Sequence, residues 1–235
     1  MLDSLAKKWR RSARESYEDP APPEGMTPLS ASLEENIIAI RQAAANSGDL
    51  VIKRLATAGT EVALLMTEGM FSLTAFALLL AQTLPNLKDC RGPEEVLEWV
   101  RRYSILGADQ GEVRTREEVF RLMMSGFVLL LVDGCAVGIN LGMQGFSFRG
   151  IGEPNSEVNE RGSREGFVEP LRINLTMVRR RMKSPNLCFE FIQVGGKVKT
   201  DAALIYLSDM VSGRLLRQIR SRLSQVNMDV VLETG

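Results

Sequence analysis

The residues best suited to chemistry are concentrated in the segment from Glu153 to Glu169, which alternates charges of both signs with glycines. Its candidate interaction or signalling residues are Glu153, Pro154, Glu157, Arg161, Gly162, Arg164, Glu165, Gly166, Phe167 and Glu169. Arginine presents a planar fork of donors that matches a carboxylate or a phosphate, and glycine permits close backbone approach. Three roles fit this pattern: a structural ion-pair network, subunit contacts or signal transmission, and binding of a small anionic or zwitterionic ligand. The ion-pair network is the default, because paired charges often serve structure.

The sequence lacks the groups that most enzymes use near neutral pH. It contains no histidine, which removes the usual general base and the commonest transition-metal ligand. Three cysteines, Cys90, Cys135 and Cys188, are far apart and odd in number, so neither a disulfide framework nor a zinc site is predicted. The glycines after Asp133 follow a predicted hairpin and do not form the strand, GxGxxG turn and helix that cradle a phosphate. We therefore expect no catalytic activity, no metal and no cofactor.

Charge limits the partners that the sequence predicts. The 29 basic and 29 acidic residues cancel, so no chain-wide field attracts nucleic acid or an anionic membrane. Two basic stretches, 172–183 and 214–222, are interpreted as solvated helix faces, with contact to lipid head groups as the alternative. Aromatic residues do not alternate with the basic ones as a stacking platform requires, so nucleic-acid binding is not predicted.

Hydropathy predicts a globular chain after a flexible lead. The two longest apolar stretches, Met70 to Leu84 and Phe127 to Leu141, are too short or too interrupted to cross a membrane. Residues 1 to about 30 mix charges with four prolines, a composition typical of a flexible segment. Because the N-terminus has no secretory pattern, the polypeptide is expected to be cytosolic as it stands.

The order helix, strand, strand, helix is predicted twice along the chain. The first copy is a helix from a Ser32-x-x-Glu35 capping box, strands at 50–52 and 61–67, and a helix at 72–83. The second copy is a helix from Phe167 to about Met182, strands at 187–194 and 202–207, and a helix at 215–226. A closing strand is predicted from Met228 to Leu232.

The two copies align when Asn36 is set beside Asn174, which also brings Leu50 and Leu187 nearly into register. This repeat predicts an α/β fold made of two related small subdomains with mixed sheets. The predicted divisions are a flexible lead at 1–30, a first subdomain at 31–148 and a second at 149–235.

Further elements are predicted between the copies. Pro93 to Arg102 and Thr115 to Met124 are predicted helices, and a hairpin across Asp133-Gly134 is predicted to complete the first sheet. A glycine-rich connection follows, with the candidate hinge residues Gly142, Gly145, Gly150 and Gly152. A cleft beside this hinge is the expected position of any ligand.

The run EP-x-x-E-x-x-x-RG-x-REGF-x-E from Glu153 to Glu169 resembles the signature of the A subunits of bacterial spore germinant receptors, the GerA family. The pattern N-x-x-x-x-RRR-x-K that follows from Asn174 agrees as well. Further agreement extends the resemblance over roughly residues 30 to 235: Leu33-Glu-Glu-Asn36-Ile, Ser47-x-Asp49, Leu130-Leu-Val-Asp133-Gly134 and Lys199-Thr200-Asp201-x-Ala-Leu-Ile-Tyr206. The length and mixed composition of the motif make it specific.

This resemblance implies a role in nutrient-triggered germination. It implies a longer protein with several membrane helices after this region, placed in the spore inner membrane with this region on the cytoplasmic side. The implied partners are a transporter-like B subunit, a lipoprotein C subunit and other A subunits, and the implied output is ion release through the membrane. Two alternatives remain: a small-ligand-binding module similar to substrate-binding-protein subdomains, and the germination paralogue linked to the dipicolinate channel.

Overall fold

A computed structural model describes residues 25–57, 59–83, 85–103, 109–145, 166–226 and 228–229, which contain six α-helices, one short 3-10 helix (Asn86–Asp89) and seven strands. The helices are α1 (Leu33–Ala43), α2 (Leu73–Thr83), α3 (Pro93–Tyr103), α4 (Arg116–Met123), α5 (Leu171–Arg181) and α6 (Gly213–Ser224). The strands are β1 (Leu50–Thr57), β2 (Thr60–Thr67), β3 (Gln110–Val113), β4 (Val128–Val132), β5 (Gly138–Leu141), β6 (Leu187–Val194) and β7 (Thr200–Leu207). Residues 25–145 are termed the first unit and residues 166–229 the second unit.

The first unit is built on a five-stranded antiparallel sheet with the order β1-β2-β4-β5-β3. Helices α1 and α4 cover one face, where Ile40 and Val119 pack against Leu65. Helices α2 and α3 cover the other face, where Val100 belongs to the same cluster as Leu64. Because both faces are covered, the central strands carry continuous apolar runs and not an alternating pattern.

Side-chain caps fix where the helices of the first unit begin. The hydroxyl of Ser32 accepts a hydrogen bond from the Glu35 amide at 3.4 Å, as the sequence predicts. The Glu35 carboxylate, however, accepts from the Ser30 hydroxyl at 2.6 Å, and the reciprocal bond of a capping box is replaced. The predicted capping box of Thr115 and Glu118 is complete.

The second unit is smaller. Strands β6 and β7 form an antiparallel hairpin, with Leu187 opposite Leu207 and Val194 opposite Thr200. Helix α5 packs on one face of this hairpin, around a small core of Leu175, Leu187 and Phe189. None of the residues of α6, all of which the structure describes, is buried.

The predicted repeat is visible in matching hydrogen bonds. Asn36 bonds both backbone groups of Ser30, at 2.9 and 2.7 Å, and Asn174 bonds both backbone groups of Val168, at 2.7 and 2.6 Å. Each asparagine lies at the fourth position of an 11-residue helix that precedes an eight-residue hairpin strand. The chain is therefore an α/β protein with two related units.

Three details differ from the sequence prediction or extend it. All strand pairs in the described residues are antiparallel, so a parallel pair of the kind found in a mixed sheet is not among them. Strand β3 was not predicted; it is a four-residue edge strand whose sequence, Gln-Gly-Glu-Val, has little apolar character. Of the predicted closing strand from Met228 to Leu232, only the first two residues are described. No helix in the described ranges is long and apolar enough to span a membrane.

Candidate functional site at the joint between the units

Most of the signature segment lies outside the described residues. This holds for Glu153, Pro154, Glu157, Arg161, Gly162, Arg164 and Glu165, and for the hinge candidates Gly150 and Gly152. Of the described members, Phe167 and Glu169 are exposed and Gly166 is half-buried. Hinge candidates Gly142 and Gly145 follow β5, where Gly145 donates to the Met70 carbonyl at 3.3 Å.

The C-terminal end of the signature segment is fixed to α5. The side chain of Asn174 accepts from the Val168 amide and donates to the Val168 carbonyl. This two-point clamp satisfies a backbone donor and acceptor that precede the helix, where Pro170 at the N-cap supplies no side-chain bond. The clamp therefore ties the backbone of Val168 to α5.

Near the other end of α5, Arg179 lies in the contact between the two units, which we term the joint. The Arg179 guanidinium binds the Asp49 carboxylate at two points, with Nε to Oδ2 at 2.7 Å and Nη2 to Oδ1 at 2.9 Å. It also donates to the carbonyls of Ser184 and Leu187 at 2.9 and 2.7 Å and lies 4.7 Å from the centre of the Phe189 ring. Arg179 is only 2% exposed.

The partner of Arg179 is held in place by the loop between α1 and β1. Ser47 donates its hydroxyl proton to Asp49 Oδ1 at 2.5 Å and accepts from the Phe189 amide at 2.9 Å. The Gly48 amide donates to the Phe189 carbonyl at 2.7 Å, so this loop pairs with the outer edge of β6. A Cβ on Gly48 would lie 2.9 Å from that carbonyl oxygen, which explains the glycine.

Polar contacts extend around the edge of the joint. Arg172 forms an ion pair with Glu68 of the first unit, and its guanidinium lies 5.1 Å from the centre of the Phe191 ring. Lys183 donates to the Ser125 hydroxyl at 3.3 Å. A Cβ on Gly69, whose φ is +76°, would collide with the Thr176 side chain. The joint thus combines a buried ion pair, a strand-edge contact and a close helix approach.

The contacts of the joint are suited to holding the two units together. A bidentate arginine–carboxylate pair in a low-dielectric site is directional, and leaving either charge without its partner is costly. The Cys188 thiol lies 3.8 Å from the Ala44 carbonyl across the joint, and burial raises its pKa above the ordinary value for cysteine. All three cysteines, which lie in the described part of the chain, are free. No cluster of metal-binding side chains occurs among the described residues.

The interpretation of 172–183 as a solvated basic face is wrong for Arg179. Its side chain is buried and paired, because it lies one helical turn after the buried Leu175 and so points toward the hairpin and not toward water. Two signals in the sequence could have found it: the four-residue spacing from Leu175, and Ser47-x-Asp49, which supplies a carboxylate at the start of β1. Arg172 is exposed but takes part in the ion pair with Glu68.

A cavity of about 390 Å³ opens at the start of α5. It is lined by Pro170, Leu171, Arg172, Phe191, Ile192, Gln193, Asp201 and Ala202. It lies between α5 and the β6–β7 hairpin, and its lining does not include the hinge candidates Gly142 and Gly145.

A similar fold occurs in a solved structure. The crystal structure of the N-terminal domain of the A subunit of the Bacillus megaterium spore germinant receptor GerK3 superposes with a TM-score of 0.65. The two sequences are 24% identical, and the match covers 87% of this chain and 75% of that chain. The fold is therefore that of the N-terminal domain of a germinant receptor A subunit.

The sequence comparison gives the family. The model of the family described as Bacillus/Clostridium GerA spore germination protein matches residues 39–235, and the chain belongs to this family. Spore germination protein KA of Bacillus subtilis is 27% identical over 88% of the chain, and spore germination protein B1 of the same organism is 34% identical over 55%. The chain spans 38% of the length of the first relative and 27% of the second.

Proposed function

We propose that this chain is the N-terminal region of a spore germinant receptor A subunit that takes part in nutrient-triggered germination. The observation that carries the proposal is the match to the GerA family over residues 39–235, which includes the signature segment. The similarity in fold to a receptor A-subunit domain supports it. The absence of histidine supports a role without catalysis.

Within such a receptor, the joint is proposed to couple the signature segment to both units. The clamp at Asn174 ties residues 166–169 to α5, and the pair of Arg179 with Asp49 ties α5 to the first unit. A displacement of the signature segment would then move the domain as one body toward or away from its partners. The proposed partners are the B and C subunits, other A subunits and the spore inner membrane. In this proposal, helices of the longer protein cross that membrane and the present region lies on its cytoplasmic side.

Deletion of the gene in its own organism tests the first part of the proposal. Spores without it are expected to lose the response to at least one nutrient, measured as dipicolinate release. If the chain is instead the germination paralogue linked to the dipicolinate channel, dipicolinate release is expected to slow to a similar extent with every nutrient. An unchanged response to all nutrients that trigger the parent spores would contradict both.

Substitution at the joint tests the coupling. In the full-length protein, Arg179→Met is expected to impair germination with nutrients, whereas Arg41→Met, at the equivalent exposed position of α1, is expected to leave it unchanged. Receptor abundance in spore membranes is measured in parallel by immunoblot. Should Arg179→Met lower abundance, Arg172→Ala at the edge of the joint is the milder variant. Normal germination by both joint variants at normal abundance would refute the coupling.

The cavity at α5 favours a second function, the binding of a small ligand. Its lining offers a guanidinium at Arg172, a carboxylate at Asp201 and the Phe191 ring, a combination that suits a zwitterion with an apolar part. Titration calorimetry with free amino acids is expected to give heat that Asp201→Ala abolishes. Absence of heat with every amino acid would count against this function and leave the receptor proposal intact.

A further inference from the structure

A groove of about 330 Å³ lies on the first unit, between the 3-10 helix Asn86–Asp89 and α3. We term it the α3 groove. Both elements are held by the core beneath them, since Leu87 of the 3-10 helix and Val96 and Val100 of α3 belong to one buried cluster. The described lining of the groove shares no residue with the joint or with the cavity at α5, so it is a separate place on the molecule.

One wall of the α3 groove is aromatic. Trp99 and Tyr103 are four residues apart on α3, which places their side chains on the same face of the helix. The centres of the two rings are 5.7 Å apart, and the ring planes are inclined at 39°. Trp99 also packs against the core cluster, whereas Tyr103 is 63% exposed. The faces of such rings attract a cation, and tryptophan does so most strongly.

The described lining of the groove also carries more negative than positive charge. It contains three carboxylates and one guanidinium, those of Asp89, Glu95, Glu98 and Arg102. Glu98 is paired with Arg102, and Glu95 accepts a hydrogen bond from the Arg91 amide at 2.8 Å. Within the described residues, the Asp89 carboxylate makes no hydrogen bond or ion pair, so it is available to a ligand.

The thiol of Cys90, which also lines the groove, responds to this charge. Burial, and after it the charges of Glu95 and Asp89, raise the pKa of Cys90 above the ordinary value for cysteine. A carboxylate or phosphate ligand would meet the same repulsion. A metal ion would gain little from the rings, and no cluster of metal-binding side chains occurs in the described part of the chain. An organic cation can use both the charge and the aromatic surface.

We propose that the α3 groove binds a small organic cation, whose alkylammonium group lies against the rings of Trp99 and Tyr103 and pairs with Asp89. A groove of about 330 Å³ is at the small end of the range for ligand sites, which suits a compact amine or quaternary ammonium compound. This site is separate from the proposed role in germination, and neither proposal depends on the other.

Tryptophan fluorescence of residues 1–235 carrying Trp9→Phe tests the proposal. The sequence has two tryptophans, so Trp99 is then the one tryptophan that emits. Choline is the probe, and 3,3-dimethylbutan-1-ol, which has the same shape without the charge, is the control. Choline is expected to change the emission of Trp99 to a saturating value, and the alcohol at the same concentrations is expected to leave it unchanged. An equal response to the two compounds, or no response to choline, would overturn the proposal.

Three further variants in this background locate the bound cation. Asp89→Asn and Tyr103→Ala are each expected to raise the dissociation constant of choline by at least about threefold. Glu94→Gln, at an exposed position of the same helix outside the groove lining, is the matched control and is expected to leave the constant unchanged. Asp89 and Tyr103 are exposed, so both variants are expected to unfold at the temperature of the parent. Parental affinity for choline in both variants would refute the site.

Discussion

The two units of this chain share a backbone plan and differ in how much of it is covered. In both, an 11-residue helix leads into a hairpin of two eight-residue strands, and a turn then leads into a further helix. The Glu68 amide bonds the Asp49 carbonyl at 2.8 Å, and the Ser208 amide bonds the Asn186 carbonyl at the same distance. The plan therefore depends on local caps, turns and apolar spacing that each copy retains.

Side chains at equivalent positions of the two units make different contacts. Glu34 and Arg54 of the first unit form an exposed ion pair at 2.6 Å, and the equivalent residues of the second unit are Arg172 and Phe191. Arg41 is exposed, whereas its equivalent Arg179 is buried in the joint. The outer face of α1 therefore carries solvated charges, while the same face of α5 forms the contact between units.

The two units differ even more in how many of their side chains are buried. Helix α2 buries Leu79 and Thr83 over the first sheet, while α6, described throughout, buries none of its residues. The core of the second unit has three buried members, and β6 obtains part of its burial from the α1–β1 loop of the first unit. The second unit is thus expected to depend on the joint for its stability.

The largest effect is expected from breaking the buried ion pair. Arg179→Met leaves the Asp49 carboxylate buried without its partner, which costs about 3–5 kcal/mol in the free energy of unfolding. Arg41→Met, on the solvated face of the equivalent helix, is expected to change it by less than about 0.5 kcal/mol. Urea denaturation followed by circular dichroism measures both.

The same pair of variants distinguishes opening of the joint from a general loss of structure. Cys188 is shielded by the joint, so its alkylation is expected to accelerate in Arg179→Met and to stay slow in Arg41→Met. Equal stability losses in the two variants would show that burial of Arg179 has no special energetic role.

The second effect concerns the second strands of the two hairpins, β2 and β7. Leu65→Ala removes side-chain atoms from a site with no exposure and is expected to cost about 2–5 kcal/mol. Ile205→Ala acts at a partly exposed site and is expected to cost about 1 kcal/mol. Chemical denaturation of both variants compares them, and an equal cost would mean that β7 is as well covered in solution as β2.

Local signals predicted most of the fold. The capping residues Ser32 and Thr115 and the Asp133-Gly134 turn each place an element within one or two residues of its position, whereas α5, predicted from Phe167, begins four residues later at Leu171. The asparagine pair that revealed the repeat, Asn36 and Asn174, makes the same bonds in both units. These features act over a few residues, so one sequence suffices to find them.

The joint was not predicted, because it depends on contacts between residues far apart in the chain. Asp49 and Arg179 are 130 residues apart, and no local signal pairs one with the other. The spacing of Arg179 from Leu175 hinted at burial, but only the packing of the two units supplies the carboxylate. Strand β3 was missed for a similar reason, since its pairing with β5 and not its composition makes it a strand.

The repeat itself is tested by its two asparagines. Asn36→Ala and Asn174→Ala each remove a two-point clamp on the segment that precedes a helix, leaving part-buried backbone groups without a partner. Each is expected to lower the free energy of unfolding by about 1–3 kcal/mol. Denaturation of the two variants is the measurement, and a cost at one position only would argue that the clamps are not equivalent.

The smallest effect is expected from steric approach at the edge of the joint. Gly69 and Gly59 have nearly the same backbone conformation, with φ of +76° and +74°. Ala at Gly69 would meet the Thr176 side chain, whereas no atom of the described structure lies within 4 Å of a Cβ at Gly59. Because both alanines meet the same backbone penalty, the loss in free energy of unfolding is expected to be about 1 kcal/mol larger for Gly69→Ala than for Gly59→Ala in urea denaturation. Because the collision is with Thr176, adding Thr176→Ala to Gly69→Ala is expected to recover most of this extra loss. If the extra loss persists in the double variant, the strain lies in the turn and not in the contact between units.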